Sequence, residues 1–162
     1  MKTLLTFLLS LIAFASLLSA DDTAVMDYNN ETTCLIRELK VHKAPKWVAK
    51  IELAEGKKIY FSSPKSMFEF YHNPGKWPEL AVKNEKSIKE ILVMDYDTFK
   101  PVKAKAAFFV YGSNVTSPAG DDLVAFDSYK TAQEFAKAHN GKRVLGFREV
   151  SEALIRLLNG RI

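Results

Sequence analysis

The side chains in this sequence that could do chemistry beyond surface acid–base pairing include one thiol, Cys34, and three imidazoles, His42, His72 and His139, together with the thioethers of Met26 and Met67. A lone cysteine forms no internal disulfide. Cys34 is therefore a buried small hydrophobe, half of an intermolecular bridge, or a ligand or reactive group. One Cys and three His give no spacing typical of zinc, no Gly-x-Ser-x-Gly elbow is present, and loops this poor in glycine do not cradle phosphates. Cys34 and His42, eight residues apart, form a nucleophile dyad on paper, but neither a third orienting residue nor an oxyanion loop accompanies them. No enzyme is expected. Met67 falls on a helical face with Phe70 and Tyr71, where packing is the default role, and His72 and His139 close their predicted helices, where an imidazole complements the dipole.

The elements that must position these groups follow from periodicity. Trp47 to Leu53 alternates apolar and charged residues as a half-buried strand does, Ala54 to Lys57 turns the chain, and Lys58 to Phe61 returns it. Ser63 then caps a helix that has Pro64 in its first turn. The tail of this unit recurs 65 residues later: Phe126-Asp127-Ser128-Tyr129-Lys130-Thr131-Ala132-Gln133-Glu134-Phe135 repeats the Phe, Ser, Lys, Ser/Thr, Glu and Phe of the stretch that starts at Phe61. Asp127 or Ser128 caps the second helix and Asn140-Gly141 ends it. A strand is expected around Ile91 to Tyr96 and another within Ala104 to Tyr111, whose apolar run suits cover on both faces. A further strand spans Arg143 to Arg148, and a short helix runs from Ser151 to Leu158. The fold class is α+β, with two related strand-strand-helix halves of antiparallel hairpins and helices packed on them, about 34–95 and 96–162. Cys34 to Val41 alternates loosely and suits an edge strand or extended arm.

Length and composition set the outer bounds. The chain has 162 residues, 48% hydrophobic and 26% charged, enough for one domain with a real core. Residues 1–20 carry a basic start, an apolar centre from Leu4 to Leu18 and Ala20 before Asp21-Asp22, as a cleavable signal peptide does. The apolar run is shorter than the roughly 20 residues that span a bilayer. No Cys stands at the cleavage point to carry a lipid. The formal charge of +4 falls to +3 once Lys2 leaves with that segment, and its lysines are dispersed, so they read as solvated faces rather than a nucleic-acid footprint. Residues 21–33 are polar and acidic, without an apolar period, and read as a flexible lead-in.

Several stretches together resemble a known family. Cys34, Pro45-Lys46-Trp47-Val48-Ala49-Lys50-Ile51, Lys65-Ser66-Met67-Phe68, Asp95-Tyr96-Asp97-Thr98, Ala104-Lys105-Ala106 and Gly112-Ser113-Asn114-Val115-Thr116-Ser117-Pro118-Ala119-Gly120 resemble the NosL family, accessory proteins of nitrous oxide reductase, over roughly Cys34 to Val150. The resemblance implies two related strand-and-helix halves and a periplasmic copper chaperone that carries Cu(I) to the membrane-bound complex assembling the reductase's copper centres. The chain departs from the family pattern in three places. Cys34 is followed by Leu35-Ile36-Arg37-Glu38-Leu39 instead of a second Cys and a Met, Ala119 stands where a loop Met is usual, and the lipid-bearing Cys is missing.

Cu(I) is soft and prefers thiolate and thioether, with imidazole acceptable. The resemblance therefore implies a metal site at Cys34, with Met67 or His42 as partners and Met26 within reach from the lead-in. The alternative on the same fold is a periplasmic adaptor that has lost metal binding. Nucleic acid is not an expected partner, and no membrane span is expected after signal cleavage.

Overall fold

The computed structural model describes residues 24–161, so the expected signal peptide lies outside the described residues. The chain runs through β1 (Ala49–Leu53), β2 (Lys58–Phe61), α1 (Pro64–His72), β3 (Ile88–Met94), β4 (Pro101–Lys103), β5 (Phe108–Tyr111), β6 (Leu123–Phe126), α2 (Tyr129–Ala138), β7 (Arg143–Gly146) and α3 (Glu152–Leu158). Two antiparallel sheets result, ordered β2-β1-β3-β4 and β6-β5-β7. In both, the opening strand of the unit is central, its hairpin partner lies on one side and the strand after the helix lies on the other. The repeat seen in the sequence is thus a repeated ββαβ topology. β4, just past residue 95, extends the first sheet by pairing with β3.

Each helix starts on a serine cap, at Ser63 and Ser128 as the sequence predicts and at Ser151, which the sequence pattern places inside the helix. Ser63 Oγ accepts the Ser66 N–H, Ser128 rather than Asp127 accepts from Thr131, and Ser151 accepts from Leu154, each quenching a first-turn amide that has no partner within its helix. The strand limits differ from expectation. Pro45–Trp47 forms a 3-10 turn, so β1 begins only at Ala49. β7 stops at Gly146 because the chain enters a 3-10 turn, with Glu149 Oε2 accepting the Gly146 N–H at 2.7 Å.

The core explains which helix is buried. Phe109 on β5 joins a large cluster with Phe61, Phe68, Leu123 and Leu145, while its neighbour Val110 joins Trp47, Val124, Phe126, Ala132 and Phe135. The three-stranded sheet is therefore covered on both faces, which is why its strands read as continuous apolar runs. α1 is the shared element: Phe68 stacks edge-on to Phe109 at 5.1 Å and lies 4.9 Å from Phe147, and every residue from Pro64 to Phe70 is buried.

Polar groups tie the halves together. Asp122, at the entrance to β6, accepts the Lys65 and Leu123 N–H groups through Oδ1, each at 2.8 Å, and the Ser117 hydroxyl through Oδ2 at 2.6 Å. A carboxylate of the second half thus caps the helix of the first. Asp95, after β3, returns the favour by accepting the Asp127 N–H at 2.7 Å, just ahead of α2. Two lysines expected on solvated faces are buried instead. Lys65 Nζ donates to the Ala119 and Leu158 carbonyls, and Lys50 Nζ to the Val25 carbonyl and Asp27.

Candidate functional site

The segment that delivers Cys34 is fastened to the first sheet. Asp27 accepts from Lys58, from Lys50 at 3.2 Å and from the Tyr60 hydroxyl at 2.7 Å. The Lys58 contact, with Tyr60 and Lys50 adding to it, holds the Asp27 carboxyl well below the usual carboxylate range against the opposing effect of burial. Burial and then Asp27 push the Tyr60 phenol up. Met26 and Tyr28 pack against the large cluster, and Asn29 Oδ1 accepts from Glu31 and Thr32 to form a tight turn. The described part of the expected lead-in is therefore docked.

Cys34 opens a compact turn rather than an edge strand or extended arm. Thr33 bridges Lys40, the Cys34 N–H donates to Leu39 O at 2.8 Å, and the Glu38 N–H returns to Cys34 O at 3.0 Å with Glu38 in the left-handed region at φ 57°. The turn forms because its ends are paired and Leu35 N–H donates to Tyr60 O, the edge of β2, at 2.9 Å. Inside it the thiol is 1% exposed, and its Sγ accepts the Arg37 N–H at 3.4 Å.

The other two expected ligands are placed differently. Met67 is fully buried in α1 and belongs to the same apolar cluster as Cys34, as does Val41. His42 follows Val41 in a 3-10 turn and is half-buried, and its Nδ1 is shielded from solvent with no hydrogen-bond partner. The structure thus puts the thiol and the thioether in one cluster, and brings the Met26 side chain to that cluster's edge. Among the described residues, no group of three or more His, Cys, Asp and Glu is arranged to hold a metal ion. His72 Nε2 lies 2.8 Å from Val150 O, and its ring stacks on Phe68. His139 rests on Phe135 at 4.2 Å.

Sequence reasoning missed Glu69. Its carboxylate, 6% exposed, accepts from Arg37 at 3.0 Å, from Arg161 at 2.9 Å and from Asn159 Nδ2 at 3.0 Å. Arg37 also donates to Asn159 Oδ1 at 2.7 Å, which closes a triangle of Arg37, Glu69 and Asn159 with one corner in the turn that holds Cys34. The repeat hid this role, because the matching Glu134 is an exposed residue facing Lys130 at 3.9 Å.

Over 81% of this chain and 98% of the other, the fold matches the crystal structure of the copper chaperone NosL from Shewanella denitrificans with a TM-score of 0.67 at 22% identity. The solution structure of apo-NosL from Achromobacter cycloclastes aligns at a TM-score of 0.46 and 24% identity, covering 66% of this chain and 87% of that one. No curated protein matches the chain. No helix among the described residues is long and apolar enough to cross a membrane. The NosL family model matches residues 25–155, from the docked lead-in through the turn at Cys34 and both ββαβ units into α3, and the chain belongs to the NosL family.

Proposed function

We propose that this protein is a non-enzymatic periplasmic copper carrier that binds one Cu(I) through Cys34, with Met67 or His42 completing the site, and hands it to a membrane-bound complex that assembles the copper centres of nitrous oxide reductase. The single observation that carries this reading is that the thiol of Cys34 and the thioether of Met67 belong to one apolar cluster. Met26 packs at its edge, and a ring nitrogen of His42 nearby in sequence lacks a partner. A monovalent soft cation is the cargo such donors suit. Membership of the NosL family and the likeness to a copper chaperone of that family support it. Because the thiol is buried, loading requires the turn at Cys34 to open locally, a motion far smaller than unfolding.

Titration of the mature protein with Cu(I) against a chromophoric chelator tests the proposal. Wild type should compete with one-to-one stoichiometry, and Cys34→Ser should lose at least about 100-fold in affinity, since even outer-sphere changes at metal sites cost up to that much. Equal, poor competition by both proteins would remove the carrier reading. The second reading, an adaptor that no longer binds metal, is favoured by the near-complete burial of Cys34, and that result would support it.

A further inference from the structure

The environment of Glu69 carries an inference about how Cys34 is controlled. A carboxylate this buried is costly unless its charge is matched, and all of its matching donors come from two distant parts of the chain. One is Arg37, inside the turn of Cys34. The others, Asn159 and Arg161, follow α3.

Local chemistry brings that tail back. Asn159 caps α3, Gly160 takes φ +65°, and the Gly160 and Arg161 N–H groups donate to Leu157 O at 2.9 Å and Arg156 O at 2.8 Å. This is a glycine-dependent helix stop that reverses the chain at its left-handed residue. The reversal is what lets the Arg161 guanidinium reach Glu69. Asn159 and Arg161 both lie beyond residues 25–155, the stretch matched by the family model, so the tail's contribution is a feature of this chain outside the matched region.

At the other end of the network, Arg37 plays two parts at once. Its backbone N–H covers the Cys34 sulfur at 3.4 Å, and its guanidinium is held by Glu69 and Asn159. Swinging the Arg37 backbone off the sulfur moves the root of a side chain whose far end is held by Glu69 and Asn159. We infer that the Asn159–Arg161 tail is a latch, clamped through Glu69 onto Arg37, that keeps the Cys34 turn closed and sets the rate at which the thiol becomes accessible. The inference rests on the reading of Cys34 as the cargo-binding group, and it supplies the regulation of that site: whatever lifts the tail opens the turn.

The test is the rate of Cys34 alkylation by a small maleimide on the full chain, reduced and free of metal. An Asn159→Ala/Arg161→Ala double variant should lose some global stability, because Glu69 stays buried with Arg37 alone, and should label at least about tenfold faster than that measured loss accounts for, the signature of local rather than global opening. Glu69→Gln, which keeps the side-chain shape, should shift the rate in the same direction. Lys130→Ala, which removes an exposed pair on α2, should label at the wild-type rate. A wild-type rate in the double variant, or an acceleration that merely tracks lost global stability, would overturn the latch. Copper competition on the same samples separates the two claims, because faster labelling without any copper binding would keep the latch and discard the carrier.

Discussion

The Tyr60 hydroxyl donates to Asp27 Oδ1 at 2.7 Å, while the carbonyl of the same tyrosine accepts the Leu35 N–H at 2.9 Å. One residue on the edge strand therefore grips the chain on both sides of Cys34. Its neighbours Lys50 and Lys58 complete the seat of the Asp27 carboxylate.

Replacing Asp27 by Ala should free the segment before Cys34 and cost about 1 kcal/mol, the scale of a partly exposed ion pair with hydrogen-bonded geometry. The loss should be visible as faster amide exchange at Asn29 to Thr33, with protection of β1 and β3 unchanged.

The same contact has a defined pH window. The folded-state Asp27 carboxyl titrates below its ordinary value of 3.8, so as pH falls the unfolded chain takes up that proton first. The stabilisation is complete above roughly pH 5 and is lost only as pH drops through the depressed folded value. Lys58 is raised above 10.5 by Asp27, so its share is lost only as pH rises through that raised value. Exchange at residues 25–33 should stay flat from about pH 5 to 9, after correction for intrinsic rates, and increase at strongly acid pH.

Asp122 should behave in the opposite sense. Burial pushes its carboxyl up, despite the Ser117 hydroxyl and the backbone donors of Leu123 and Lys65. A raised carboxylate contributes stability that is fully present below the unfolded value and is lost as pH rises through the folded one. Asp122→Asn keeps an acceptor for the two backbone amides and should remove that slope from the stability–pH curve. Asp122→Ala leaves the Lys65 and Leu123 N–H groups without their acceptor and should cost about 1–3 kcal/mol at neutral pH by chemical denaturation.

Phe68→Ala should destabilise the whole molecule by about 3–5 kcal/mol, the usual range for a fully buried aromatic. Because its ring meets both Phe109 and Phe147 from a helix of the first half, both sheets should melt in one transition. Two separate transitions in the wild type, with the Phe68 contacts intact, would show that α1 is not the shared core element.

The parts of the molecule that could be read from sequence are those fixed by local chemistry. Ser63 and Ser128 cap their helices because a hydroxyl before a helix has one nearby job, and the register of Phe61 with Phe126 reports two strands in equivalent positions. Met67 was legible as a core residue, since the repeat puts Ala132 in its place and both are buried. The turn at Cys34 was not legible as a turn. It depends on pairing with Tyr60 and on a guanidinium held by Asn159, 122 residues away, and no periodicity encodes contacts of that range. Lys65 misled for a related reason: the dispersed lysines read as solvated faces, and its counterpart Lys130, facing Glu134 four residues on, is exposed. In the first unit Lys65 and Glu69, at the same spacing, are buried between two layers, and each side chain turns to a different part of the chain.

X-ray absorption at the copper edge of the Cu(I)-loaded wild type, compared with Cys34→Ser and Met67→Leu, tests the central claim most directly. The account predicts sulfur in the first coordination shell of the wild type and its loss or reduction in Cys34→Ser, with a smaller change in Met67→Leu if the thioether is the second ligand. A wild-type spectrum with only nitrogen and oxygen neighbours, or one unchanged by Cys34→Ser, would contradict it.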